Sequence, residues 1–395
     1  MNLITRTDDL AEACARLGSA PFVAVDTEFM REQTFWPRLC LIQIAANGTE
    51  ALIDSLAPGL DLAPFFELMV NERVLKVFHS ARQDIEIVHH LAGVIPHPIF
   101  DSQVAAMVCG FGEAVSYSML VKRLLNRNLD KTSRFTDWSR RPLSDRQLIY
   151  ALGDVTYLRD LYPKLRAQLD QSERASWLNE EMAVLTDPAT YEVHPEKAWR
   201  RLKMRIKTPK ALAVLMELAA WREREAQTQD VPRARILKDE ALYDIASQAP
   251  RTVEYLGSLR TLHNGFARSM RGRAVLGAVG KGLERDPDTI PPIERGEPMP
   301  PEAQAVVDLL RVLLKATAGR HGVATKLIAT SDELEEIARS GEPDVPVLRG
   351  WRRKLFGEDA LALKRGELAL AIKQGEVAVI APDGSAAADK PKDEA

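Results

Sequence analysis

Four short runs near the start of the chain, PFVAVDTEF (21–29), LCLIQIAA (39–46), EALIDSL (50–56) and VLKVFHS (74–80), are rich in β-branched and apolar residues and read as strands. Between and after them, ARQDIEIVHHLAG (81–93) and SDRQLIYALGDVTYLRDLYPKLRAQL (144–169) repeat apolar residues every three or four positions, which predicts amphipathic helices. This succession predicts an α/β domain over residues 1–170. Its sheet should be mixed, because the opening strands lie too close together for helical crossovers.

Beyond Leu169 the pattern is continuously helical, with no run that predicts a strand. Two small all-α domains are expected, over 208–288 and 300–380. The stretch DPDTIPPIERGEPMPP (286–301) holds six prolines and predicts a stiff connector between them; a softer boundary falls at DPATYEVHP (187–195). VPRARILKDEALYDIA from Val231 aligns without a gap on VATKLIATSDELEEIA from Val323, pairing Ile236 with Ile328, Leu242 with Leu334, Ile245 with Ile337 and Ala246 with Ala338. That match points to a duplicated module. Residues 382–395 are small, charged or proline and predict a disordered tail.

The composition, 46% apolar and 28% charged, excludes a fibrous or largely disordered chain. No apolar run approaches the roughly 20 residues of a membrane span. The opening MNLITRTDDLAEACARLGSA lacks the basic-then-apolar order of a secretory signal, so a cytoplasmic protein with no membrane partner is expected. Cys14, Cys40 and Cys109 are odd in number and widely spaced, which points to reduced core residues and away from a disulfide framework or a Cys-rich zinc site. A net charge of −3 argues against a nucleic-acid partner until its distribution is considered. Between Lys197 and Arg285, 19 Lys and Arg stand against 9 Asp and Glu, either a solvated helical surface or a place where an anion docks.

Candidate chemistry lies in three pieces. Strand alternation in VAVDTEF puts Asp26 and Glu28 on one face of an otherwise apolar element, where bound divalent cations would offset the cost of burying two charges. A strand end facing water, with Asp26 capping a turn, is the structural alternative. In HSARQDIEIVHHL, Asp84 opens a helix, a place that capping and the helix dipole favour for an acid in any case. In YALGDVTYL, Tyr150 and Asp154 stand four apart and share a helix face.

Taken in order, Asp-x-Glu on the first long strand, a later Asp, and Tyr-x-x-x-Asp on the last catalytic helix resemble the tyrosine branch of the DEDD exonuclease superfamily. WPRLCLIQIA (36–45), IFDSQVAA (99–106) and residues 116–158 are similar to the ribonuclease D family, and the helical repeats resemble the HRDC modules that follow its catalytic domain. The resemblance covers nearly the whole chain, with the second helical module the looser match. It implies a ribonuclease H-like mixed-sheet catalytic domain followed by two HRDC-like domains, and a 3′→5′ exoribonuclease releasing nucleoside 5′-monophosphates.

The same resemblance implies that Asp26, Glu28, Asp84 and Asp154 hold two cations, Mg²⁺ or Mn²⁺, about 4 Å apart. A free tyrosine titrates near 10, so Tyr150 is expected to orient the attacking water and not to act as a base. The implied partner is RNA, tRNA precursors with 3′ extensions above all, acted on by a monomer. A DNA exonuclease and a non-catalytic RNA-binding protein are the alternatives. Nothing in the motifs separates RNA from DNA, while retention of all four carboxylates and the tyrosine argues against a decayed nuclease.

Around these residues, Trp36 is a candidate for stacking on the terminal base, or for core packing. Gln43, Asp101 and Gln103 are placed near strand ends to touch ribose or to cap backbone, and His79 reads as a structural histidine. Arg134, Trp138, Arg140 and Arg141 form a basic, aromatic stretch that either grips phosphates or makes a solvated turn.

Overall fold

The computed structural model describes residues 3–113, 115–129, 136–172, 174–204, 206–293, 299–340 and 342–382. The chain opens with strand β1 (Leu3–Ile4), helix α1 (Thr7–Leu17), two long strands β2 (Phe22–Met30) and β3 (Arg38–Ala46), and β4 (Thr49–Ile53). Helix α2 (Ala63–Val70), strand β5 (Leu75–Phe78), α3 (Arg82–Ala92), β6 (Ile99–Asp101) and α4 (Ser102–Val108) follow, then α5 (Tyr117–Leu125), α6 (Asp145–Gln171) and α7 (Ala175–Thr186). The six strands form one sheet in the order β1-β4-β3-β2-β5-β6. Its β2–β3 and β3–β4 ladders are antiparallel and its β1–β4, β2–β5 and β5–β6 ladders parallel, so the sheet is mixed.

Strand β3 sits at the centre, and past Arg38 every residue on it is buried, the run expected of a strand covered on both faces. Helix α6 crosses β2, β3 and β4. A capping box starts it: the Ser144 hydroxyl accepts the Gln147 N–H while the Gln147 side chain accepts the Ser144 N–H. The ladder between β2 and β3 slips after Glu28, since Glu28 faces Leu41 but Phe29 faces Leu39. Such a bulge bends the strand just beyond its two acids.

Helices α8 (Pro209–Gln229), α9 (Arg233–Ile236), α10 (Asp239–Gln248), α11 (Val253–Gly257) and α12 (Met270–Glu284) enclose a core of their own, with Val214, Leu218, Leu242, Ile245 and Val279 fully buried. The loop after β2 drives Phe35 into it. The Asp230 carboxylate accepts the backbone N–H of Phe35 and of Trp36, both at 3.0 Å, and the Arg233 guanidinium lies 4.4 Å over the Phe35 ring.

A second set begins with α13 (Pro301–His321), α14 (Thr325–Ile328) and α15 (Ser331–Arg339), and continues through α16 (Gly350–Arg352), a π-helical stretch Arg353–Gly357 and α17 (Glu358–Lys364). Its apolar residues, Val307, Ile328 and Phe356 among them, join the core of the sheet unit. The aligned pairs Ile236/Ile328, Leu242/Leu334, Ile245/Ile337 and Ala246/Ala338 are all buried, as two copies of one helical pattern require.

Both sets dock through the same corner. Asp230 ends α8 and Gly322 ends α13 at aligned positions, each in left-handed conformation at φ 47° and 58°. While Asp230 holds the loop at Phe35, the Gly322 corner meets α4: Ala324 N–H donates to the Met107 carbonyl at 3.2 Å, and Lys326 N–H to Glu113 at 3.2 Å.

One expectation is overturned. Strands β7 (Ala369–Lys373) and β8 (Glu376–Ile380) form an antiparallel hairpin where the sequence pattern predicts helix throughout. Gln374 and Gly375 turn it with φ of 55° and 84°, the positive pair that matches the twist of a two-residue hairpin. Of the tail expected over 382–395, residues 383–395 lie outside the described residues, as do 294–298 of the connector. No described helix is long and apolar enough to cross a membrane. All three cysteines are free.

Gly110 has φ 81°, and a Cβ there would stand 2.3 Å from the Gly322 carbonyl oxygen. Gly110→Ala should therefore cost about 2–3 kcal/mol in urea denaturation, from backbone strain and a clash with rigid backbone. An equal loss in Gly322→Ala, whose added methyl meets nothing within 4 Å, would show that strain alone sets the cost.

Candidate active site

Alternation along β2 turns Asp26 and Glu28 toward α6, which presents Tyr150 and Asp154 one turn apart. A carboxylate oxygen from each of Asp26, Glu28 and Asp154 lies within 4.8 Å of the other two, and all three residues are half-buried. They floor a cleft of about 540 Å³ whose lining includes Tyr150, His79, Tyr117 and Gln103. Asp84 stands outside this close group. It is buried in the first turn of α3, where its carboxylate accepts the Thr27 hydroxyl.

Desolvation and mutual repulsion raise every acid resolved here. Burial holds Asp26 well above the ordinary carboxylate range, with the charge of Asp154 adding to it. Glu28 is pushed up to about 10 by burial, then by Asp26, Asp154 and Asp84. Asp84 is raised by burial and by Asp26, against the Thr27 hydrogen bond. Such a cluster of hard oxygen donors fits divalent cations, which would remove both the repulsion and the desolvation cost.

Neighbouring residues fix the frame. The Asp101 carboxylate accepts N–H groups from Ser80 (3.0 Å), Ala81 (2.8 Å), Gln103 (2.8 Å) and Val104 (3.4 Å), so it caps α4 and shapes the turn that delivers Asp84. Within that turn Ser80 holds φ 66°. His79 Nδ1 lies 2.9 Å from the Ser102 hydroxyl, and burial keeps the imidazole below its ordinary value despite Asp101. The half-buried Tyr117 donates its hydroxyl to the Asp154 carbonyl and ties α5 to α6. Tyr117 and Thr27 were not anticipated, although each adjoins a motif residue or lies within a stretch similar to the family.

Comparison with known proteins decides the family. The chain is 57% identical over 366 residues to the ribonuclease D of Nitrobacter hamburgensis, a match covering 93% of this chain and 96% of that one. The chain belongs to the ribonuclease D family. A second relative, the ribonuclease D of Bartonella henselae, is 49% identical over 93% of this chain and 90% of its own. Residues 1–170 match the 3′-5′ exonuclease family and 211–279 the HRDC domain. The crystal structure of Escherichia coli RNase D, an exoribonuclease involved in structured RNA processing, superposes with a TM-score of 0.80 at 28% identity, over 92% of this chain and 99% of that one. The chain is thus a 3′→5′ exoribonuclease, a hydrolase of RNA, and its family implies divalent metal ions.

The expected RNA contacts fare unevenly. Arg134 lies outside the described residues. Arg140 is exposed, with its Nε on Asp137 at 3.2 Å. Arg141 is instead a structural lock. It donates to both Asp54 oxygens (2.8 and 2.6 Å) and to the carbonyls of Trp138, Arg140 and Cys40, which occupies its guanidinium and leaves nothing to grip a phosphate. Gln43 is fully buried and offers RNA no surface. Trp36 is absent from the cleft lining, and its ring stacks on His90 with centroids 4.1 Å apart and planes 11° from parallel.

In metal-stripped protein at neutral pH, Glu28→Gln should raise the melting temperature by about 2–4 °C, because the site holds Glu28 protonated and glutamine folds into it without having to take up a proton. Added Mg²⁺ should stabilise wild type more than this variant. A lower melting temperature in Glu28→Gln would contradict the electrostatic account.

Proposed function

We propose that Asp26, Glu28, Asp84 and Asp154 are the metal-holding carboxylates of this exoribonuclease, that Tyr150 orients the attacking water, and that tRNA precursors with 3′ extensions are the substrate. One observation carries the site assignment: Asp154, remote in sequence from Asp26 and Glu28, brings a carboxylate oxygen within 4.8 Å of theirs in a cleft that Tyr150 also lines.

The four acids would hold two cations, Mg²⁺ or Mn²⁺, which when bound activate water at neutral pH and offset charge on the leaving 3′ oxygen. Asp84 stands outside the close group of three and is held by the Thr27 hydroxyl and by the Asp101-capped turn. Tyr150 is anchored on the same helix face as Asp154, with its ring 6.1 Å from that of buried Trp138. From there its phenol orients a water and does not need to remove a proton.

Residues 1–170 then form the catalytic unit, with 208–288 and 300–380 as paired HRDC-like modules. The basic excess of the first module, where Lys210, Lys238, Arg251 and Arg260 are exposed, suits an RNA backbone. The second module shares the catalytic core and supports it. A cytoplasmic monomer suits this reading.

The test offers matched 3′-extended tRNA-like RNA and single-stranded DNA with Mg²⁺ or Mn²⁺. Stepwise shortening of the RNA is expected, abolished by EDTA, by Asp84→Ala and by Asp154→Ala. Tyr150→Phe should lower kcat on the order of 10²-fold, the usual loss from a misplaced reactant. Unchanged trimming in the alanine variants would sink the site assignment, and a preference for DNA would sink the substrate.

A further inference from the structure

The first helical module holds a cavity of about 980 Å³, larger than the cleft over the acids, walled by α8, α9, α10 and the turn into α12. Protein interiors keep few voids larger than a water, so this space is more than loose packing. Its lining is aromatic: Trp221 and Phe266 are buried, and the exposed His263 ring stands at 86° to Phe266 with centroids 5.6 Å apart. Met270, also on the wall, is 83% exposed, an apolar side chain held out in water. Three cations complete the lining against one acid, Glu225, which the Gln229 amide already occupies at 2.6 Å. Arginines that serve the module's frame end on carboxylates: Arg222 on Asp239, Arg233 on Glu223 and Arg285 on Glu217. Those of the cavity end on neutral groups. Arg235 donates to the Gln33 amide oxygen, and Arg271 to the Gln229 amide oxygen (2.6 Å) and the Arg235 carbonyl (3.3 Å). Lys238 is exposed and has no carboxylate partner among the described residues. All three keep an uncompensated charge beside an apolar lining.

We propose that this cavity receives a nucleobase of the single-stranded RNA upstream of the 3′ end being trimmed, its planar face on Phe266, His263 and Met270 and its flanking phosphates on Arg235, Lys238 and Arg271. This deepens, and rests on, the reading of the first module as the part that holds RNA. A flat apolar ring joined to an anion is what an aromatic lining under a cationic mouth selects, and stacking is indifferent to which base arrives. Reach fits as well. Gln33, which meets Arg235, lies five residues past Glu28, at most about 18 Å of chain. One strand can therefore have its end among the acids and a base a few nucleotides back in the cavity. The acids repel phosphates unless cations are bound, so affinity for the strand has to come from a place such as this.

The test uses the full chain in EDTA, where no trimming is expected, and a fluorescent twelve-nucleotide single-stranded RNA followed by anisotropy. Ala274→Trp fills the cavity from an exposed position on its wall, and Arg271→Gln removes one of its charges. Each should weaken RNA binding about 10-fold, and Arg271→Gln should also flatten the plot of log K against log salt by about 0.7. A 2-aminopurine moved along the same RNA should be quenched at one position, upstream of the 3′-terminal nucleotide, in wild type and not in Ala274→Trp. Wild-type affinity in both variants would overturn the proposal, as would uniform emission from every 2-aminopurine position, which would mark a flat backbone-binding surface. A rise in melting temperature with AMP that Ala274→Trp abolishes, with RNA affinity untouched by either variant, would also overturn it and give the cavity to a free nucleotide. If Ala274→Trp loses its cooperative melting transition, Arg271→Gln and the 2-aminopurine scan in wild type decide. Lys210→Gln and Arg251→Gln, away from the cavity wall, separate the two levels. If they alone weaken binding, only the cavity fails; if none of the four does, the module's role in holding RNA fails with it.

Discussion

Mutual repulsion among acids held in one poorly solvated place is the constraint on which this molecule turns. Asp26, Glu28 and Asp154 come from a strand and a helix far apart in sequence, and nothing in their own chemistry draws them together. The fold must impose the convergence. It does so by crossing α6 over the centre of the sheet, by bulging β2 immediately after Glu28, and by pinning α6 through the Tyr117 hydroxyl and the Arg141–Asp54 lock. Each device is stiff and lies close to the acids, which is what holding like charges together demands. Asp84, bonded to Thr27, is the member whose place depends least on that repulsion.

The helical modules extend the same logic outward. Strand β2 carries two of the acids and then runs straight into the loop whose Phe35 is buried among α8, α10 and α12. The first module therefore grips the strand that carries Asp26 and Glu28. The second helical set meets α4 by the aligned corner and merges with the core of the sheet unit. The two helical sets thus brace the sheet unit at separate places, one through a buried aromatic and a capping aspartate, the other through two glycines in close approach.

Local pattern made much of this visible. The alternation around Asp26 and Glu28 and the four-residue spacing of Tyr150 and Asp154 are properties of single elements, and so is the closeness of β2, β3 and β4 that makes the sheet mixed. What escaped was tertiary or marked by weaker signals. Arg141 stands in a basic stretch that invites a phosphate-binding role, and only the fold reveals that Asp54 and three carbonyls already hold it. Trp36 invited a stacking role, yet His90 takes one face of its ring. The β7–β8 hairpin turns on Gln-Gly, a less distinctive pair than Asn-Gly, after a long helical run.

The central claim is that these carboxylates form one cation site, and anomalous diffraction from crystals grown with Mn²⁺ tests it most directly. Strong anomalous density bounded by Asp26, Glu28, Asp84 and Asp154, and lost in Asp26→Asn, is the predicted result. An empty acid cluster in crystals of protein that trims RNA with Mn²⁺, or density held by other residues, would contradict it.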